Sequence, residues 1–169
     1  SGEHGVTFQK RFPGIIWQST DPDSRHRKSI SAWIEHEKLN MQMPQPLDID
    51  VENTPWNIHS DLLISLQGII CINMIHISSW NCTKSLFEES GYLLKKGQFL
   101  MIYGPFKVDN KHISESNQLF DKSLKIKNIS WGARNLQDVN EEARKNAFVK
   151  SQVFKMPANN FSVVYRKAY

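Results

Sequence analysis

The run Gly68-Ile69-Ile70-Cys71-Ile72 is the stretch that most constrains this chain. It is apolar, rich in β-branched residues and free of proline, as expected of a strand covered on both faces in a parallel sheet. The chemistry then changes. Asn73 and His76 interrupt the apolar pattern, and Ser78 or Ser79 stands where a helix starting at Trp80 needs its cap. In open α/β sheets ligands settle beyond the carboxyl ends of the strands. Asn73 and His76 are therefore site candidates, the alternative being that they only satisfy backbone groups of the loop.

The rest of the chain repeats this alternation. A helix is expected over 3–12, stopped by Pro13-Gly14, followed by a short strand over 15–18. Asp23 or Ser24 caps a helix over 25–37 with Ile30, Trp33 and Ile34 on one face. A weak strand at 47–51 precedes a loop and short helix at 56–66. Beyond the Gly68 strand, the helix from Trp80 should run to Ser90 with Gly91 as its C-terminal cap. A second buried strand spans 98–103, and a polar loop runs from Gly104-Pro105-Phe106 to Glu115. The pattern over 116–127 predicts a helix burying Leu119, Phe120 and Leu124. After the loop Trp131-Gly132-Ala133-Arg134, Asn135 and Asp138 form a capping pair for a helix with Leu136, Val139, Ala143 and Ala147 on one stripe. Two strands, 149–156 and 161–166, close the chain, and the short turn Pro157-Ala158-Asn159-Asn160 requires them to be antiparallel. The expected fold is α/β: a three-layer, doubly wound, Rossmann-like sheet, mostly parallel, ending in an antiparallel hairpin.

Composition narrows the classes. A chain of 169 residues, 40% hydrophobic and 22% charged, reads as one globular domain over 1–169. The net charge of +4 comes from bases scattered among acids. The one tight run, Arg25-His26-Arg27-Lys28, lies on a helix and reads as a solvated face, so no nucleic-acid partner is expected. Cys71 and Cys82 lack metal-ligand spacing, which argues for a reducing, cytoplasmic setting and against a disulfide framework or zinc site. No apolar run reaches membrane-spanning length, and no membrane partner is expected.

A second set of residues suggests a nucleotide. Gly2 and Gly5 stand as Gly-x-x-Gly at the head of a helix, and Asp21 follows Gly2 by about 20 residues at the end of the next strand. A carboxylate there suits two adjacent ribose hydroxyls, because it accepts two hydrogen bonds. Capping of the following helix is its other role. Asp48 recurs at the end of the third strand, where it suits an adenine amino group or simply a surface turn. Each signal is weak alone, but all three fall on one edge of one sheet.

This arrangement resembles class I S-adenosylmethionine (SAM)-dependent methyltransferases, whose sheet ends in an antiparallel hairpin. More narrowly, Tyr103-Gly104-Pro105-Phe106, Ser116-Asn117, Phe120-Asp121, Trp131-Gly132 with Arg134, and Met156-Pro157-Ala158-Asn159-Asn160 resemble the methyltransferase-like family labelled domain of unknown function 938. Ser1-Gly2-Glu3-His4, Trp17-Gln18 before Asp21, Leu47-Asp48, and Asn73 with His76-Ile77 and Trp80 extend the resemblance over nearly the whole chain. It implies SAM as cofactor, with Ser1, Gly2 and Glu3 beside its methionine part, Asp21 at the ribose, Asp48 at the adenine edge, and Asn73 and His76 at the junction with the methyl acceptor. Tyr103, Phe106, Asn117, Trp131, Arg134 and Asn160 would form the acceptor pocket, although Phe106 has packing as an alternative and Asn160 a plain turn. His76 is the candidate general base by type, and a neutral hydrogen-bonding wall residue otherwise. Two departures stand out. The first strand and leading glycines of the family's cofactor loop are not in this chain and are expected before Ser1. The loop Lys107-Val108-Asp109-Asn110-Lys111 carries no glycine where a flexible turn is expected.

The leading functional expectation is a SAM-dependent methyltransferase acting on a small molecule. A non-catalytic SAM- or nucleotide-binding module of the same fold is the alternative. Nucleic-acid amino methylation fits less well, because Asn73-Met74-Ile75-His76 stands where an Asn/Asp-Pro-Pro-aromatic tetrad would be. The closing hairpin counts against a dehydrogenase.

Overall fold

A glutamine side chain takes the place of a strand near the start of the chain. Helix α1 (Glu3–Arg11) presents Gln9, whose amide accepts the Trp17 N–H at 2.9 Å and donates to the Ile15 carbonyl at 2.7 Å. The backbone expected to form a strand over 15–18 is thus satisfied by a side chain, and Ile15 and Ile16 remain exposed. Only Thr20 pairs, in a parallel bridge to Leu47, and the expected strand at 47–51 reduces to that bridge. There Asp50 accepts the Glu52 N–H and an Asn53 amide hydrogen, which turns the chain. Helix α2 (Ser24–His36) is capped by Asp23, whose carboxylate accepts the Arg25 N–H at 2.8 Å. Its Ile30 and Ile34 pack with Val6 and Met43 into a buried cluster flanked by Trp17, Trp33 and Leu39. Gly2, with φ 102°, sits where a Cβ would lie 2.8 Å from the Ile30 Cα, so only glycine lets the start of α1 lie so close to the middle of α2.

These elements belong to the first of two compact units in the computed structural model, which describes residues 2–169; the units divide between Asn57 and Ile58. The second unit opens with the short α3 (Ser60–Ser65) and then forms the main sheet. Strand β1 (Gly68–Ile72) runs parallel to β2 (Phe99–Gly104), and the Phe99 ring covers the space that a Cβ on Gly68 would fill. Between them α4 (Trp80–Leu93) is capped by Ser79, which accepts the Cys82 N–H. This helix continues through Gly91 rather than stopping there. The missing Cβ of Gly91 would lie 3.0 Å from the Asn146 carbonyl, so the glycine serves close packing and not a left-handed cap.

Beyond β2 a small hairpin, β3 (Lys107–Val108) with β4 (Lys111–His112), turns through Asp109 and Asn110 at φ 50° and 62°. Both residue types tolerate the left-handed region, and that is how the loop turns without glycine. Helices α5 (Glu115–Lys127) and α6 (Leu136–Lys145) follow, then the closing pair β5 (Phe148–Met156) and β6 (Asn160–Lys167). The sheet order is β1-β2-β6-β5, with β6 inserted antiparallel beside β2 and β5 on the outside. The result is a mixed α/β fold with parallel and antiparallel strands.

One sheet face is sealed. Leu100, Ile102, Val163 and Tyr165 on it are fully buried, and Phe87 of α4 meets Phe148 and Tyr165 edge to face at 6.0 and 5.3 Å. The Tyr165 hydroxyl donates to Asn140 of α6, so its buried end is not orphaned. Helix α5 departs from expectation. Leu124 is buried, but Leu119 and Phe120 are 59% and 42% exposed, while Asn117 and Asp121 occupy the inner face at 4% and 3%. The polar residues lie inside because neighbouring turns need their hydrogen bonds.

Phe87→Ala should lower unfolding free energy by about 3–5 kcal/mol through lost burial, the residual cavity and two lost ring contacts. Urea unfolding followed by circular dichroism would read this directly, and a loss below about 1 kcal/mol would mean that these rings do not anchor the core.

Candidate functional site

The apolar run of β1 ends in a left-handed residue, Asn73 at φ 60°, and a single 3-10 turn, Met74–His76. The Asn73 N–H still donates to the Tyr103 carbonyl of β2, and the Asn73 carbonyl accepts the His76 N–H. These two bonds swing His76 back over the end of the sheet. Its ring is 1% exposed and stands edge to face with Phe106 at 5.1 Å. Gly104 makes the fit possible, since a Cβ there would lie under 2.5 Å from the His76 Nε2. Asn73 itself is exposed, and its side-chain amide makes no hydrogen bond among the described residues.

The turn after α5 clamps His76 from the other side. Gly132 donates its N–H to the His76 carbonyl at 2.8 Å, and the Arg134 N–H reaches His76 Nδ1 at 3.4 Å. The Arg134 guanidinium donates to the carbonyls of Ile75 at 2.8 Å, Ser78 at 2.6 Å and Ser130 at 2.9 Å, and lies over the Trp80 ring. Asp121 secures that turn in its own right. Its Oδ1 accepts the Ala133 N–H at 2.7 Å, and Oδ2 receives Lys125 at 2.8 Å and faces His112 Nε2 at 3.3 Å. Burial pushes the Asp121 carboxyl up, but Lys125 and the Ala133 N–H outweigh it and hold the group below its ordinary value.

These contacts decide the state of His76. Burial drives its pKa down to about 4, Arg134 adds to the shift, and a Gly132 backbone contact opposes it only in part. The ring is neutral near pH 7. With Nδ1 accepting from Arg134, the hydrogen-bond network assigns the proton to Nε2, which is buried and finds no partner among the described residues.

The remaining acceptor-pocket candidates sort by exposure. Tyr103 is half-buried, and its hydroxyl accepts the Asn160 amide at 3.0 Å. Asn117 is buried and donates to the Asn159 carbonyl at 2.9 Å, joining α5 to the closing hairpin turn. Trp131 is half-buried. Phe106 is fully buried between His76 and Phe161, so its contribution is packing. Asn73, His76, Tyr103, Arg134 and Asn160 thus converge on the carboxyl ends of β1 and β2. Sequence reasoning missed the positioning role of Asp121. Its spacing of four from Asn117 and three from Leu124 was the available signal for a shared inner face.

In the first unit the two aspartates flank one backbone bridge. Asp21 follows Thr20 and Asp48 follows Leu47, the two residues of the parallel bridge. Arg27 joins them, donating to the Asp21 backbone carbonyl at 2.8 Å and pairing with the Asp48 carboxylate at 2.8 Å. The Asp21 carboxylate accepts the Asp23 N–H and faces the His26 ring at 3.2 Å. Gly2 precedes α1, Glu3 lies in its first turn, and Ser1 is outside the described residues.

An open polar cleft of about 600 Å³ lies between α4 and α6, lined by Trp80, Lys84, Lys107, Arg134, Asp138 and Glu142 among others. Arg134 alone among the sequence-derived candidates reaches it. Among the described residues no cluster of three or more His, Cys, Asp or Glu could hold a metal ion.

Strand order, the closing hairpin and the placement of polar residues beyond β1 and β2 define a protein with the class I methyltransferase fold. The chain belongs to the family described as protein of unknown function DUF938, whose model matches residues 1–167. Among solved structures it is similar to the mitomycin 7-O-methyltransferase MmcR, with a TM-score of 0.80 and 12% identity over 96% of this chain and 45% of the other. It is also similar to human N-acetylserotonin methyltransferase in complex with SAM, with a TM-score of 0.74 and 14% identity over 95% and 43%. A third similar structure, described as a pericyclic reaction enzyme, has a TM-score of 0.75 and 9% identity over 98% and 40%. At such identities the likeness is one of fold, and the chain spans just under half the length of each of these structures.

The His76 environment predicts an acid sensitivity with a defined window. The folded state holds the ring neutral down to about pH 4, whereas the unfolded chain takes up the proton near 6.5. The unfolded state therefore binds more protons between those values, and stability is present above pH 6.5 and falls as pH drops through the window, by up to about 3 kcal/mol. Urea unfolding across this range should show the slope in the wild type and a flatter profile in His76→Gln. Equal slopes in both would place the titration elsewhere.

Proposed function

We propose that this chain binds SAM and transfers its methyl group to a small-molecule acceptor. One observation carries the reading: within a class I methyltransferase fold, the polar residues picked out in the sequence gather, Asp21 and Asp48 beside the Thr20–Leu47 bridge in one unit and the Asn73–His76–Tyr103–Arg134–Asn160 group at the ends of β1 and β2 in the other. Asp21 takes the two ribose hydroxyls as a charged double acceptor, and Asp48 takes the adenine amino group. Asn73, with its free amide, is the polar contact between cofactor and acceptor.

Methyl transfer from a sulfonium is an in-line displacement. The acceptor's lone pair forms the new bond to carbon, the carbon–sulfur bond pair returns to sulfur, and any acceptor proton leaves to solvent or a base. The electrophile arrives activated, so the protein's task is alignment and exclusion of water. The Arg134 bond to Nδ1, the low pKa and the near-complete burial of the ring support His76 as a neutral structural residue in preference to a general base. The likeness to a pericyclic reaction enzyme favours keeping a second reading, a SAM- or nucleotide-binding module without methyl transfer, because one fold hosts several chemistries.

Calorimetry with SAM, its demethylated product and NAD tests the cofactor, and conversion of SAM to that product in the presence of candidate acceptors separates the two readings. Binding of the first two and not NAD is expected; NAD binding alone would reverse the assignment. Asp21→Asn keeps the acceptor for the Asp23 N–H but removes the charge, and should weaken SAM by about tenfold or more without changing the thermal midpoint. An unchanged affinity would remove Asp21 from the cofactor site.

A further inference from the structure

The inverted helix α5 points to a partner. Its inner face carries Asn117, Asp121 and Leu124, all buried. On the opposite side Leu119 and Ile126 are 59% and 85% exposed, with Phe120 beside them and Ile129, 86% exposed, just beyond the helix end. Seven residues at 100° each bring Leu119 and Ile126 within about 20° of one line, and at 1.5 Å per residue the ridge is about 10 Å long. Lys122 flanks this ridge on one side and Lys127 on the other, both exposed and without an ion pair among the described residues. Lys125 lies further round and pairs with Asp121. From Gln118 to Ser130 the sole acid is Asp121, turned inward, and the exposed Glu115 lies one turn before Leu119 at the start of the helix.

We infer that this face of α5 docks onto an anionic lipid bilayer. An aliphatic ridge flanked by unpaired lysines matches the boundary between acyl chains and negatively charged headgroups, where apolar side chains enter and lysine stems extend to the phosphates. A protein partner fits less well, since lysine is depleted from protein interfaces and the ridge lacks the Trp, Tyr and Arg anchors typical of them. Twofold pairing with a second copy would set these lysines against their own counterparts. The contact is peripheral, because no helix among the described residues is long and apolar enough to cross a membrane. Periodicity alone assigned Leu119 and Phe120 to the core and so left no such surface visible.

Co-sedimentation of the full chain with vesicles tests this. Vesicles of equimolar phosphatidylserine and phosphatidylcholine should pellet the protein, pure phosphatidylcholine should not, and added salt should weaken the binding. Replacing Leu119 and Ile126 together with serine should reduce partitioning by at least about tenfold. Lys122→Gln or Lys127→Gln should each reduce it roughly fivefold. Ile64→Ser, at an exposed position on α3, should leave it unchanged. All these sites are exposed, so circular dichroism and thermal midpoints should match the wild type. Equal pelleting with both vesicle types, or undiminished binding by the double variant, would overturn the inference. A wild-type dimer that dissociates in the double variant would overturn it in favour of self-association.

Discussion

Arg134 holds the end of β1 in place. A chain leaving a buried strand through a 3-10 turn loses its ladder partners, and each buried carbonyl left without a donor costs about 1–3 kcal/mol. The guanidinium serves Ile75, Ser78 and Ser130 together, and the Arg134 N–H serves His76. Arginine alone among the side chains offers five donors in a fixed planar fork, so lysine could not span the same carbonyls. Burial pushes the Arg134 pKa down, and its charge is balanced here by carbonyl dipoles rather than by a paired carboxylate.

The turn that carries Arg134 is itself anchored, which explains the inversion of α5. Asp121 accepts from Ala133, and Asn117 donates to Asn159, so both must face inward to reach backbone groups of the Trp131–Arg134 turn and of the hairpin. A helix that gives its inner face to such polar work has less room there for apolar side chains. Leu119 and Ile126 are left outside, and Lys122 and Lys127 lie on either side of them. The order of the site and the apolar surface of α5 therefore share one cause.

The two carboxylates of the first unit follow a simpler rule. A parallel bridge between Thr20 and Leu47 makes the next residue on each segment a neighbour, and Arg27 ties the two segments by pairing with the Asp48 carboxylate and donating to the Asp21 backbone carbonyl. The likeness to methyltransferases is one of fold, and a fold hosts several chemistries, so the site residues carry the functional argument.

Much of the fold is legible in local signals. The serine before Trp80, the Asp23 cap and the tight Pro157–Asn159 connection each gave the element expected of it, while the β-branched run at Gly68 formed a strand that is half-buried at the sheet edge rather than covered on both faces. The strand end that carries Asn73 follows from that run, whereas Asp21 and Asp48 stand beside a single bridge and not at the ends of the strands expected there. Other features depended on partners remote in sequence. Whether 15–18 became a strand rested on Gln9, whether Gly91 ended a helix rested on Asn146, and which face of α5 turned inward rested on Asn159 and Ala133. The protonation of His76 likewise rests on Gly104 and Arg134, residues that periodicity cannot bring beside it. The sequence by itself determined which segments fold and where polar groups interrupt them, because propensity and capping act within a few residues. Only the tertiary structure decided which backbone groups lacked partners, and so which polar side chains had to be buried to satisfy them.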